Sequence, residues 1–165
     1  MHDIMRWSAE ELLTLVQTLE APGLEEMHGE FAVLLLRQLN SMAALAAPVI
    51  VYNALYPGMW LAKAFRPVGA EGGRGYNSFR HFGRVVQRFP MLTRIALSRY
   101  DGCPAFQLVY RAFRSYCGFI HMVDEVQRRV PHPFLLAGPV APYRGDIGTE
   151  RAGFRVEGKL PARQR

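Results

Sequence analysis

The run MLTRIALSRYDGCPAFQLVYRAF, residues 91–113, constrains the fold of this chain more than any other part of it. Asp101–Gly102 is a preferred pair for a two-residue hairpin turn, and both flanks alternate in side-chain polarity. Counting outward from the turn pairs Arg94 with Val109. A slip by one residue would place arginines in the core, so the register is well specified. One face of the predicted hairpin then carries Met91, Thr93, Ile95, Leu97, Phe106, Leu108 and Tyr110.

An amphipathic helix is predicted before this hairpin, over about residues 8–20. Ser8 and Glu11 have the spacing of a capping box, in which each side chain bonds the backbone N–H of the other residue. Apolar residues recur behind them at helical spacing, and Pro22–Gly23 ends the run. We expect this helix to cover one side of the domain.

Several further segments have the composition of strands. Residues 27–36 are compatible with a strand or a short helix, and 69–78 is rich in glycine and is predicted to be a loop. Strands are predicted at 49–56, 58–66, 116–126, 134–137 and 154–160. The sequence therefore predicts a single, mainly β domain over residues 1–165, with the strands over about 27–160.

The composition is that of a folded domain. The chain has 165 residues, of which half are hydrophobic and about a fifth charged, so one domain with a sizeable core is expected. The net charge is +6, and 18 of the 20 basic residues are Arg, a side chain suited to carboxylates and phosphates but also common where codon usage favours it. Two cysteines form no metal framework or disulfide scaffold. No metal and no cofactor are expected, and the start MHDIMRWSAEE, with its early acids, favours a cytoplasmic protein.

An uncharged run extends from Gln38 to Ala62 and is long enough to span a bilayer. Asn, Pro and Gly residues interrupt it, and its apolar part, MAALAAPVIV, has only ten residues. We therefore expect a buried or ligand-lined segment and no membrane partner, although contact of residues 38–62 with a membrane stays open.

The order of these segments resembles a known family. A helix, then MHGEF, then Gly58-x-Trp60 followed by Lys63-x-Phe65, then a long hairpin ending in VDE, is similar to an uncharacterised bacterial group named for a GxWxG motif. That group carries a lipocalin-like β-barrel. The likeness covers roughly residues 24–137. Its second half matches at Arg99–Gly102, Leu108–Tyr110, His121 and Val123–Glu125.

The chain departs from that pattern in two places. Ala62 stands where the second glycine of GxWxG is expected, and Gln127–Arg129 lead directly into Val130–Pro131 where another strand is expected. The resemblance therefore implies a lipocalin-like antiparallel β-barrel with an N-terminal helix, open or incomplete on one side. It also implies that Gly58 permits a tight start of the strand and that Trp60 plugs the closed end, with a basic residue from another strand over its ring. We include Lys63 in this motif.

Among the possible functions, a barrel of this size most directly indicates the binding of a small molecule. About eight strands enclose one small molecule, and such cavities are mostly apolar. We expect a small hydrophobic ligand, with Arg94 or another inward arginine meeting a carboxylate end. The candidate ligand-binding residues are Met91, Arg94, Ile95, Phe106, Leu108 and Tyr110.

Two alternatives from other classes stay open. A cofactor-free isomerase or cyclase would use the same cavity, with catalytic candidates His121, Glu125, Asp124 and Tyr110. His121 within hydrogen-bond reach of Asp124 or Glu125 would favour this enzyme. An interaction module pairing through an open sheet edge, as in a homodimer, is the other alternative. Residues 74–89 interleave aromatics with arginines, but an amphipathic strand explains them, and no nucleic-acid partner is expected.

Overall fold

The fold is known for most of the chain. The computed structural model describes residues 7–38, 51–128, 135–139 and 151–159, with the single positions 45, 48 and 49. The helices whose bounds are described are α1 (Ala9–Gln17) and α2 (Tyr116–Phe119). The strands are β1 (Gly29–Gln38), β2 (Tyr52–Asn53), β3 (Gly58–Pro67), β4 (Gly72–His81), β5 (Arg84–Leu97), β6 (Pro104–Val109), β7 (Val123–Gln127), β8 (Leu135–Pro139) and β9 (Arg151–Lys159).

The predicted N-terminal helix is confirmed. Glu11 Oε2 accepts from the backbone N–H of Ser8 at 2.7 Å, and Ser8 Oγ accepts from the backbone N–H of Glu11 at 3.2 Å, which completes the capping box. Leu12 is buried on the inner face of the helix and packs with Trp7, Leu15, Val16 and Leu19. This small cluster is separate from the main core, and α1 lies near β8.

The described strands form one antiparallel sheet in the order β1-β9-β8-β7-β6-β5-β4-β3-β2. β1 also pairs with β3, so eight strands follow one another in a ring. The β1–β3 pairing covers four residue pairs, from Gly29–Phe65 to Ala32–Ala62, and the first residues of β3 pair with β2 instead. The mainly β, partly open barrel with an N-terminal helix is therefore confirmed at the level of the fold.

The β5–β6 hairpin has a longer loop than predicted. Arg94 pairs with Gln107, not with Val109, because the strands end at Leu97 and Pro104. The loop is closed instead by the N–H of Ser98, which bonds the carbonyl of Cys103 at 2.7 Å. The shift is two residues, an even number, so every side chain keeps the predicted face.

The glycine-rich run 69–78 is a strand and not the predicted loop from Gly72 onward. These glycines allow strands to approach closely: a Cβ on Gly75 would lie 2.4 Å from the carbonyl oxygen of Ala64 and 3.0 Å from the ring of Phe65. A turn at Phe82–Gly83 then joins β4 to β5, which makes a hairpin that the sequence analysis missed.

The predicted strand 116–126 is wrong in its first half. Residues 116–119 form the short helix α2, which Ser115 caps by accepting from the N–H of Gly118. His121 follows in a turn with φ 53° and is exposed, and β7 begins only at Val123. A Cβ on Gly118 would lie 2.0 Å from the carbonyl oxygen of Phe113, so this connection folds tightly against itself.

Two strands complete the ring after β7. The apolar run predicted at 134–137 corresponds to β8, and the alternating run predicted at 154–160 corresponds to β9. β8 pairs with both β7 and β9, so it supplies the strand that was expected to be missing after the VDE run. Parts of the uncharged run 38–62 lie outside the described residues. Across the residues that are described, the helices are too short or too polar to cross a bilayer.

Candidate binding site in the barrel interior

A β-bulge sets the orientation of the GxW segment. Trp60 pairs with Phe79, and the register then shifts so that Lys63 pairs with Asn77. In a regular strand, positions 60 and 63 would point to opposite faces; the extra residue of the bulge turns both side chains inward. Lys63 Nζ consequently lies 5.3 Å from the centroid of the Trp60 ring. The resemblance implied a basic residue from another strand, whereas this chain supplies it from the same strand.

Gly58 begins this strand where no other residue fits. Its φ is +116°, and a Cβ would lie 2.7 Å from the carbonyl oxygen of Arg80 and 3.1 Å from the Cβ of Phe79. Met59 then points outward while Trp60 is buried. The close contact with β4 thus fixes where the ring of Trp60 enters the barrel.

Three buried side chains meet at the centre of the barrel. Lys63 Nζ donates to Tyr110 Oη at 2.6 Å and to Asp124 Oδ2 at 2.9 Å, and Tyr110 Oη donates to the same Oδ2 at 3.0 Å. All three residues are at most 1% exposed. A buried ion pair is tolerated only when hydrogen bonds of this kind replace water. We call Lys63, Tyr110 and Asp124 the central triad.

Asn77 connects the central triad to Trp60. Its Oδ1 accepts from Trp60 Nε1 at 3.1 Å, and its Nδ2 donates to the carbonyl of Phe89 at 3.3 Å and to Tyr110 Oη at 3.4 Å. Phe89 has φ +51°, and its carbonyl faces Asn77 at the bulge between β4 and β5. The polar groups are therefore held in place from β3, β4, β5 and β7 and from Tyr110, the residue after β6.

Two buried acceptors are left without a partner among the described residues, Gln127 Oε1 and Asp124 Oδ1, and the second belongs to the central triad. Asp124 Oδ1 is buried and has no hydrogen-bond partner among the residues that the structure describes, although Oδ2 of the same carboxylate accepts two bonds. A buried carboxylate oxygen without a donor costs free energy, and such atoms are rare in folded proteins. Asp124 Oδ1 is therefore a position within the central triad where a hydrogen-bond donor would fit.

Burial also determines the protonation of two groups at the site. Burial, reinforced by the charge of Asp124, holds the pKa of the Tyr110 hydroxyl well above its usual value, so this hydroxyl keeps its proton and remains a donor. Burial and the same charge raise the pKa of Cys117 to about 12. A thiol with this pKa is not a nucleophile at neutral pH, since the thiolate is the reactive form.

The two thiols should therefore differ in reactivity. At pH 8 we expect a disulfide reagent to label Cys103, which is exposed, and to leave Cys117 unlabelled until the chain is unfolded. The measurement is the number of cysteine thiols that react per chain, which should be one in buffer and two in denaturant. In a Cys103→Ser variant no thiol should react in buffer, and rapid labelling of that variant would contradict the buried position of Cys117.

Apolar side chains surround the central triad. Phe65 packs edge-on against Phe106, with 5.6 Å between the ring centroids, and Phe31 lies 5.7 Å from Phe65. The same cluster is completed by Met27, Trp60, Phe79, Phe89, Met91, Leu108, Tyr110, Cys117 and Val126. The interior thus combines packed apolar and aromatic side chains with one concentrated polar centre.

Four of the candidate ligand-binding residues lie in this interior: Met91, Phe106, Leu108 and Tyr110 are fully or almost fully buried in the core. Ile95 shares their face but is 39% exposed near the end of β5. Arg94 lies on the outer face, where Gln107 Oε1 accepts from its Nε at 3.3 Å and its Nη2 at 3.2 Å. Arg94 therefore does not meet a carboxylate inside the barrel.

Of the four catalytic candidates, the structure brings together Tyr110 and Asp124 but neither His121 nor Glu125. Asp124 points inward to Lys63 and Tyr110, whereas Glu125 points to the outer face and accepts from Gln107 Nε2 and from the backbone N–H of Arg99. His121 is exposed in its turn, and neither carboxylate has it among these partners. Within the described residues there is also no group of three or more His, Cys, Asp or Glu side chains that could hold a metal.

Lys63 was predicted as part of the motif, but its pairing with Asp124 was not predicted, and neither was the role of Asn77. The sequence VDEV did indicate that one carboxylate lies inside the barrel, because a regular strand places Asp124 and Glu125 on opposite faces. Asn77 lay in the run assigned to a loop. The inward position of Lys63 depends on a bulge, which the sequence does not reveal.

Comparison of the chain with protein-family models, with curated proteins and with solved structures found no match. The resemblance to the GxWxG group therefore stays a prediction.

Proposed function

We propose that this protein binds a small, mostly apolar molecule inside the barrel, with a hydrogen-bond donor of that molecule on Asp124 Oδ1. The observation that carries the proposal is this oxygen, which is buried without a partner among the described residues. Eight strands enclose either packed side chains or one small ligand, and an unpaired carboxylate oxygen favours the second use.

The polar group of the ligand follows from the site. Lys63 and Tyr110 already bond Asp124 Oδ2, so the remaining acceptor selects an N–H or O–H group. A carboxylate-bearing ligand is not favoured, because Arg94, the residue expected to bind its carboxylate, lies on the outer face. We therefore favour an uncharged molecule with an aromatic or aliphatic body and one donor, which the rings of Phe65 and Phe106 would contact.

The two alternatives have less support. His121 within hydrogen-bond reach of a carboxylate would favour a cofactor-free enzyme, and the structure does not place His121 beside Asp124 or Glu125. An interaction module would use a free sheet edge, but β1 pairs on one side with β9 and on the other with β3. Among the described residues, the parts of the edge left for such a role are β1 beyond Ala32, on the side of β3, and the two-residue strand β2.

The proposal predicts selectivity for a donor. We expect indole, which has one N–H, to bind at least about fivefold more tightly than N-methylindole, which has the same body without the donor, because an unmatched buried acceptor costs about 1–3 kcal/mol. Titrations followed by isothermal calorimetry or by protein NMR measure both affinities.

Matched variants separate the interior from the surface. Asp124→Asn replaces one carboxylate oxygen by an amide N–H group and should remove the preference for indole, whereas Tyr110→Phe should keep a reduced preference. Arg94→Ala, on the outer face, should bind like the wild-type protein. Equal affinity of the wild-type protein for both probes would count against Asp124 as the anchor.

A further inference from the structure

Three connections between strands lie at the same end of the barrel. Neighbouring strands are antiparallel, so the β2–β3 turn at 54–57, the β4–β5 turn at 82–83 and the β6–β7 connection at 110–122 all lie at the end where β3 begins. The first two touch: His81 Nε2 lies 2.6 Å from the carbonyl oxygen of Leu55. We call this the turn end.

Large apolar side chains are exposed on each of these connections. Leu55 is 74% exposed, Phe82 is 76% exposed and Phe119 is 86% exposed, and Tyr56 and Tyr116 are more than half exposed. Single exposed apolar residues are normal, but several aromatic ones at one end of a small domain mark a binding surface.

Tyr56 attaches the β2–β3 turn to the barrel. The guanidinium of Arg88 lies 4.7 Å from the centroid of the Tyr56 ring, and Tyr56 packs edge-on against Phe89 with 6.2 Å between the ring centroids. These contacts join the β2–β3 turn to β5 and leave Leu55 exposed.

The described charges of the turn end are all basic. Segments 51–60, 79–90 and 110–122 contain no Asp or Glu, and their exposed charged residues include Arg80, Arg84, Arg111 and Arg114. The opposite end carries both signs among its described residues: Glu25, Glu26, Glu71 and Asp101, together with the exposed Arg66 and Arg74. The described part of the turn end is therefore basic beside its exposed aromatic rings, whereas the opposite end is mixed in charge.

We infer that the turn end docks on an anionic lipid surface. Apolar side chains on separate turns can each enter the headgroup region, while arginines between them meet acidic headgroups; this combination is typical of peripheral membrane attachment. A second copy of the chain would bring two basic ends together, which disfavours a dimer through this face. The inference needs no membrane-spanning helix and does not rest on the proposed ligand. Leu55 and Tyr56 fall within residues 38–62, whose contact with a membrane the sequence left open.

Vesicle sedimentation tests this inference on the full chain. We expect the protein to sediment with vesicles that contain phosphatidylglycerol, to bind vesicles of phosphatidylcholine alone at least tenfold more weakly, and to be released by salt. Phe119→Ser and Phe82→Ser should each weaken binding several-fold. Arg84→Gln should weaken it about fivefold, since one arginine at an anionic surface contributes roughly that factor.

The opposite end provides matched controls. Leu97→Ser replaces an apolar residue that is 68% exposed, and Arg66→Gln replaces an exposed arginine, both away from the turn end. Both variants should bind like the wild-type protein. The inference is overturned if the wild-type protein ignores anionic vesicles, which would leave an acidic protein as the partner of this end, or if the control variants lose binding as much as the turn-end variants.

Discussion

Replacing Lys63 by Met is expected to lower the free energy of unfolding by about 3–5 kcal/mol, because it leaves the carboxylate of Asp124 buried without its cation. For a chain of this length the corresponding fall in Tm is on the order of 10 °C. Tyr110 would keep one hydrogen bond to the carboxylate, but a phenol does not neutralise its charge. Thermal and urea unfolding followed by circular dichroism measure the effect.

The double variant Lys63→Met/Asp124→Asn tests whether the loss comes from the unpaired charge. Since both charges are then removed, it should be more stable than Lys63→Met alone, which gives a positive coupling between the two sites. Arg128→Ala is the surface comparison: it removes ion pairs to Glu20 and Glu26 that are exposed to water, and its Tm should change far less. Additive effects at positions 63 and 124 would contradict a buried pair.

Gly58→Ala is the second change with a large expected effect. The new Cβ would lie 2.7 Å from the carbonyl oxygen of Arg80, and alanine is strained at a φ of +116°. Strain and steric overlap together should cost about 2–5 kcal/mol. The measurement is again the free energy of unfolding, with the fluorescence of Trp60 reporting whether its ring stays buried.

Gly69→Ala is a matched control for this change. Gly69 has nearly the same φ, +115°, but a Cβ there meets no atom within 4 Å. The Gly69→Ala variant should show the backbone strain alone, which lowers the free energy of unfolding by about 1–3 kcal/mol. The difference between the two variants isolates the close approach of β3 and β4, and equal losses would show that this approach does not constrain residue 58.

Sequence reasoning predicted the parts of the fold that depend on local patterns. The capping box of Ser8 and Glu11 defined the helix, and alternation from Met91 to Tyr110 defined the inner face of the hairpin. The register of that hairpin was wrong by two residues because Asp101–Gly102 was treated as a two-residue turn. Because this error is an even number of residues, each side chain stays on its predicted face, and Arg94 stays outside.

The errors fall where tertiary contacts override composition. Glycines at 72–75 suggest a loop, yet they serve a strand that lies against its neighbours too closely for a Cβ. The apolar run around Phe119 suggests a strand, yet it forms a short helix in which Phe119 is exposed and Cys117 is buried. The central triad depends on a bulge at Trp60–Ala62, and no local pattern in the sequence places that extra residue.

Native mass spectrometry of the protein purified from cells tests the central claim, a ligand in the barrel, most directly. Spectra are recorded under gentle and then under denaturing conditions. We predict a discrete additional mass on the folded chain that is lost on denaturation and is reduced in Asp124→Asn but retained in Arg94→Ala. A clean mass of the chain alone, with no shift after incubation with indole, would contradict the claim, and the same result on a dimer would favour an interaction module.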